Sequence, residues 1–331
     1  MSEARPALRV IGAGPLTTVQ DGGRVGWRRL GVPVSGAMDP FALRVANRLV
    51  GNPPGAAALE ITAGGASFEV LSTSVVALTG AEVMATLDGA PLPLWTSVLL
   101  RPGAVLVLGQ RRADWGARAY LALAGGIAVP ELLGSRSTYL PGGWGGLDGR
   151  PLQGGDLLCA APPTDLWPLA GQCWPPEARP AYCAAPVLRA VPGPHEAHFM
   201  PEARTLLTSV PWRVSAQANR QGYRLKGPPL PVREETNLPS LGVLPGVIQV
   251  PPDGQPILLM ADAQTTGGYP IIATVIEPDL PLAAQLLPGD ELRLRLIDVG
   301  EACAVRQQWA SLLATPLPAD PNDLVLRLAG G

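Results

Sequence analysis

Short apolar runs, broken every few residues by Gly or Pro, fill most of the chain. SFEVLSTSVVALTG (67–80), EVMATLDG (82–89), AVLVLGQ (104–110), RAYLALAGG (118–126), RVSAQ (213–217), GVIQVP (246–251), PILLMA (256–261), YPIIATVIE (269–277) and DELRLRLI (290–297) are β-branched or alternating, and read as strands. DELRLRLI alternates strictly from Glu291 to Leu296, the pattern of a strand with one wet face. One helix stands out in MDPFALRVANRLVGN, where Asp39 suits the N-cap, Pro40 the first helical position and Gly51 the stop. Ala42, Val45, Ala46 and Leu49 follow helical spacing and face a core, while Arg44, Asn47 and Arg48 fall largely on the other side. A second helix is expected around 302–313 and a weaker one after Pro201.

The runs contain a faint echo. LDGAPLPLWTSVLLRPGAVLVLG (87–109) and residues 252–296 both carry D-G-x-P, an apolar strand, then P-G-x-x-L-x-L. Two related β-barrel-like units are the natural inference. We place them at 1–200 and 201–331, with a Pro-rich, irregular excursion or join near 160–186. Length agrees, since 331 residues suffice for two cores of ordinary size. With 39 Gly and 38 Pro, long helices are disfavoured and a mainly β fold with a few short helices is expected.

Net charge is −2 and no basic run is interleaved with aromatics, which argues against a nucleic-acid partner. No stretch approaches the about 18 apolar residues of a membrane helix, and the opening residues carry no secretory pattern, so no membrane association and a cytoplasmic location are expected. The four cysteines lack CxxC spacing and His195 and His198 lie three apart with no third ligand evident, so no metal site is expected. Lys226 is the only lysine, and neither a P-loop nor a G-x-S-x-G elbow is present.

Two polar concentrations interrupt the strands. TTVQDGGRVGWRRLGVPVSGAMDP (17–40) has almost no periodicity and places Gln20, Asp21, Arg24, Ser35 and Asp39 among glycines that permit close backbone approach. Asp39 either caps the helix or faces a ligand. ADAQTTGGYPIIATV (261–275) puts Asp262, Gln264, Thr265 and Thr266 before a Gly-Gly turn and Tyr269, as either a wide hairpin or a ligand-facing corner. NRQGYRLKG adds Arg220, Tyr223 and Arg224, and GSRSTYLPGG adds Ser135, Arg136 and Thr138. The first run and the corner near 264 are expected to converge on one cleft that holds a small anion.

Taken in order, GPLTTVQDGGRVGW, GVPVSGAMD, ANRLVGN, ALEIT, YLALAGGI, LGSRST, PGPHEAHF, RQGYRLKG, GVIQVPPDGQPILLMADAQTTGGYPIIATV and AQLLPGDELRL resemble the biotin-dependent carboxyltransferase-like family, whose members include allophanate hydrolase subunit 2, KipI-antagonist (KipA-like) proteins and the C subunit of 5-oxoprolinase. The resemblance spans nearly the whole chain. It implies two cyclophilin-like β-barrel units and three candidate activities. The favoured one is a component that opens 5-oxoproline to glutamate with ATP and Mg, beside an A subunit and a KipI-like B subunit. The others are a non-catalytic KipI antagonist and a carboxyltransferase acting on carboxybiotin and a urea-like amide. Prolyl isomerisation rests on fold likeness alone. No biotinyl-lysine motif is present, so no bound biotin is expected. On the favoured reading Arg24, Arg136, Arg220 and Arg224 supply positive charge, and Gln264, Thr265 and Thr266 supply hydrogen-bond donors. Asp21 and Asp262 serve as base or magnesium ligand, and Gln20, Ser35, Asp39, Tyr223 and Tyr269 complete the substrate site.

Overall fold

A computed structural model describes residues 4–233, 238–314 and 317. The chain divides into two compact units. The first takes Met1–Gly23 and Asp39–Pro180, and the second takes Arg24–Met38 and Ala181–Ala314. The polar run 17–40 is therefore shared between them. The change of unit near residue 180 comes earlier than the expected boundary at 200, because Val187–Pro192 pairs with Ile271–Val275 and Glu291–Leu296 of the second unit.

The first unit is built from two antiparallel sheets that share one core. One runs Leu157–Ala160, Arg5–Ala13, Ala66–Val70, Val105–Arg111, Val83–Leu87, Ala90–Pro91, and the other Leu16–Gln20, Ala58–Thr62, Arg118–Leu123, Ser74–Gly80, Ser97–Leu100. Val10, Phe68, Leu106 and Leu108 meet Val19, Leu59, Ile61, Leu78 and Leu121 in that core. SFEVLSTSVVALTG is two strands, because the ladder breaks at residues 71–73. Every residue of Ser74–Gly80 and Arg118–Leu123 is buried, so these strands are covered on both faces and lose the alternation of a half-wet strand.

The second cover is helix α1 (Pro40–Leu49), which begins where the sequence predicts. The Asp39 carboxylate accepts the Ala42 N–H at 2.9 Å, so Asp39 is the N-cap. Its apolar stripe is buried as expected. Asn47, expected outside, is fully buried, because its side-chain amide donates to the Ala56 carbonyl at 2.8 Å and closes the turn after the helix.

The second unit is a closed seven-stranded barrel. Its order is Val187–Pro192, Ile271–Val275, Val247–Gln249, Ile257–Leu259, Gly222–Lys226, Trp212–Val214, Glu291–Leu296. The last strand closes against the first in parallel, and closure leaves no exposed ladder edge. Trp212, Tyr223, Leu225, Ile248, Leu258, Leu292 and Leu294 fill the interior with Met38 from the early segment. Arg293 and Arg295 alternate outward from Leu292 and Leu294, as predicted. Helices α2 (Pro201–Ser209), α3 (Leu280–Ala284) and α4 (Val299–Ala314) belong to this unit.

The echo corresponds to matched turns. Asp88 and Asp253 each open a hairpin and accept backbone N–H groups, from Val105 at 2.7 Å and Gln255 at 3.0 Å. Pro102 and Pro288 each precede a long strand.

Candidate functional site

In the first unit, Asp21 follows strand Leu16–Gln20 and its carboxylate accepts four protein donors. Oδ1 accepts from Ser135 Oγ at 2.6 Å, from Ser137 Oγ at 2.5 Å and from Gly23 N at 2.8 Å, while Oδ2 accepts from Arg136 N at 2.5 Å. A carboxylate has about four lone-pair positions; Oδ1 is fully engaged by three donors and Oδ2 holds one. Asp21 therefore clamps the GSRST loop onto the strand end. Gln20 assists by donating to Thr18 Oγ1 at 3.0 Å and to the Thr138 carbonyl at 3.1 Å. The Arg136 guanidinium turns away, toward the Val129 carbonyl at 3.1 Å and Glu131 at 3.3 Å.

A second polar group in this unit was not anticipated. Strand register sets Thr18, Glu60, Tyr120 and Thr79 in one row across four strands, on the face beneath α1. Tyr120 Oη donates to Glu60 Oε2 at 2.6 Å and accepts the Asp39 N–H at 2.8 Å. Arg118 Nε lies 3.8 Å from Glu60 Oε1. Burial, then the charges of Glu60 and Asp39, hold the Tyr120 phenol well above its ordinary pKa, so it stays protonated and donates. The signal was available in ALEIT, where one acid stands alone in an apolar strand.

In the second unit the early segment and the 262 corner meet. Asp262 is 1% exposed, and its carboxylate accepts Arg220 Nε at 2.9 Å, Arg220 Nη2 at 3.1 Å and Ser35 Oγ at 2.6 Å. Arg220 also donates to the Gly36 carbonyl. Ser35 holds φ +57, a left-handed backbone uncommon outside glycine, which aims its hydroxyl at Asp262. The Arg24 backbone N–H donates to the Val34 carbonyl at 2.7 Å and closes the segment on itself, while its side chain is fully buried. Arg24–Met38 and the 262 corner thus meet within the second unit, whereas Gln20, Asp21 and Asp39 belong to the first.

Beyond Asp262 the corner becomes accessible. Gln264 and Thr266 are exposed and Thr265 half-buried. Gln264 Nε2 reaches Gln249 Oε1 at 3.2 Å, and the Thr265 carbonyl accepts the Val243 N–H at 3.1 Å. Arg28, which the sequence reading passed over, lays its Nη2 3.5 Å and 3.4 Å from the carbonyls of Gln264 and Thr265. Tyr269, 46% exposed, lines a groove of about 780 Å³ with Pro251, Pro252 and Pro270. Tyr223 and Arg224 do not join the corner. Tyr223 is barrel core with its hydroxyl 3.4 Å from the Leu286 carbonyl, and Arg224 alternates to the exposed face of the same strand.

His195 Nδ1 accepts the Ile271 N–H at 3.1 Å. Burial and neighbouring His198 hold its pKa below the ordinary imidazole value. No group of three or more His, Cys, Asp or Glu able to hold a metal occurs among the described residues, and no described helix is long and apolar enough to cross a membrane.

Residues 30–296 match the model of the family described as carboxyltransferase domain, subdomain A and B. The chain is 44% identical over 304 residues to the 5-oxoprolinase C subunit of Escherichia coli (strain K12), covering 91% of this chain and 94% of that one. It is 36% identical over 291 residues to the 5-oxoprolinase C subunit of Haemophilus influenzae, covering 88% and 91%. The crystal structure of the K. lactis urea amidolyase superposes with a TM-score of 0.87 at 31% identity, over 95% of this chain but 20% of that much longer one. With the match running through both units, the chain belongs to the carboxyltransferase domain, subdomain A and B, family.

Proposed function

We propose that this chain is the C subunit of a 5-oxoprolinase that opens 5-oxoproline to glutamate with ATP, in complex with A and B subunits. The observation that carries this reading is identity of 44% along 91% of this chain and 94% of a protein bearing that subunit's name. A lactam is a stable amide. Its carbonyl oxygen attacks the γ-phosphorus of ATP and ADP leaves; water then adds to the activated carbon, the C–N bond breaks as nitrogen takes a proton, and a second water hydrolyses the resulting acyl phosphate to carboxylate and phosphate. Negative charge develops on oxygen throughout, so oriented donors and cations are the groups the reaction needs.

Exposed Gln264 and Thr266, with Thr265 beside them, supply those donors. Asp262, Arg220 and Ser35 act through position, by fixing the corner and the early segment to each other. Asp21 does the same for the GSRST loop, since it accepts from Ser135, the Arg136 backbone and Ser137 together. Co-expression with the A and B subunits, followed by measurement of glutamate formed from 5-oxoproline with and without ATP, tests the reading. Glutamate formation that does not need ATP, or none at all from the full assembly, overturns it. Tight association with the B subunit without turnover favours a KipI antagonist.

The likeness to urea amidolyase favours a second reading, carboxyl transfer to a urea-like amide. Saturable biotin binding by the chain, with no lactam opening, selects that reading instead.

A further inference from the structure

We propose that Arg28 anchors the carboxylate of the substrate at the 264–266 corner; this deepens the 5-oxoprolinase reading and rests on it. The other arginines expected to carry that charge are bound to other groups, fully buried or on another face. Arg220 is forked onto Asp262, Arg136 faces Val129 and Glu131, Arg24 is fully buried, and Arg224 lies on the exposed face of its strand. Arg28 differs from all of them. It is half-buried against the backbone carbonyls of Gln264 and Thr265, in a corner where the neighbouring Gln264 and Thr266 are exposed, and no carboxylate pairs with it among the described residues.

Its Nη1 is enclosed and has no hydrogen-bond partner, and its Nη2 makes two long contacts with carbonyl oxygens. Guanidinium is a planar fork that matches a carboxylate in two parallel bonds. A half-buried guanidinium held only by two long carbonyl contacts, with no acid beside it among the described residues, is open to an oxyanion on its accessible side, and burial lowers its pKa with no acid to offset the effect. 5-Oxoproline carries one carboxylate beside its lactam. Held by Arg28, that carboxylate sets the ring next to the donors of Gln264, Thr265 and Thr266.

The first experiment is steady-state kinetics of the assembled complex. Arg28→Gln is expected to raise KM for 5-oxoproline about 10- to 100-fold, the range for a lost charged hydrogen bond, with kcat changed less than about threefold. Arg28→Lys, which keeps the charge without the fork, recovers part of that loss. An unchanged KM, or a loss confined to kcat, overturns the proposal.

The second experiment needs no turnover. In the isolated chain, the Arg28 Nε–Hε resonance is titrated with 5-oxoproline, with 2-pyrrolidinone, which lacks the carboxylate, and with inorganic phosphate. A saturable shift with 5-oxoproline and none with 2-pyrrolidinone supports the anchor; a shift with phosphate alone, or with none of the three, refutes it. If the wild-type assembly opens no lactam, the functional reading fails, and the anchor stands or falls on this titration.

Discussion

Asp262→Ala is the substitution whose cost the structure defines best. It removes a carboxylate that is 1% exposed and receives two bonds from Arg220 and one from Ser35. The Arg220 guanidinium, itself 5% exposed, keeps the neutral Gly36 carbonyl but loses the carboxylate that balances its charge. Breaking a buried pair from one side costs about 3–5 kcal/mol. At about 2–4 °C per kcal/mol for a domain of this size, the barrel's melting temperature falls by about 6–20 °C. The measurement is a thermal melt of purified wild type, Asp262→Ala, Arg220→Met and the double variant. The double variant removes both charges and is expected to recover most of the loss, because an apolar replacement of a buried pair is often close to neutral. If Asp262→Ala melts within about 2 °C of wild type, or the double variant melts below both singles, the clamp argument is wrong and Asp262 has some other role.

Further substitutions separate the devices around the two clusters. Ser35→Gly should be more stable than Ser35→Ala by about 1 kcal/mol in urea unfolding, because glycine relieves the φ +57 backbone while both lose the bond to Asp262. Asp39→Ala removes the cap of α1 and should cost about 0.5–2 kcal/mol by the same assay. Tyr120→Phe strips a donor from buried Glu60 and an acceptor from the Asp39 N–H, for about 1–3 kcal/mol. His195 has a lowered folded pKa, so the folded state binds fewer protons than the unfolded chain near that group. Its contribution is present above the unfolded value near about 6.5 and is lost as pH falls below it. Melts between pH 5 and 8 should show that slope in wild type and less of it in His195→Gln.

What the sequence made legible follows from which forces are local. The α1 cap, its first proline and its apolar stripe depend on residues within one helix, and all three are where the pattern puts them. The alternation of Glu291–Leu296 is legible for the same reason, as one wall of a barrel with solvent outside. Asn47 was misjudged because its partner, the Ala56 carbonyl, lies beyond the helix, and helical spacing carries no information about the turn that follows. The buried row of Thr18, Glu60, Tyr120 and Thr79 depends on register across four strands far apart in sequence, which no window of residues encodes. The lone acid in ALEIT was its only visible trace.

The same distinction orders the site. Residue types in the 17–40 run marked it as chemically loaded, but type does not say whether a carboxylate's lone pairs are free. Asp21 and Asp262 have the identity of a base or a metal ligand, yet their geometry is that of a clamp, because serines and an arginine from distant segments take up their acceptor positions. Arg28 is the converse. It looked like one of several arginines in a polar loop, and it differs only in what does not reach it. On the proposed reading, reactive capacity at this corner resides in Gln264, Thr266 and Arg28, while Asp262 holds the corner to the early segment. On that logic Asp262→Ala should lower stability and turnover together, whereas Arg28→Gln should raise KM and leave the melting temperature where it was.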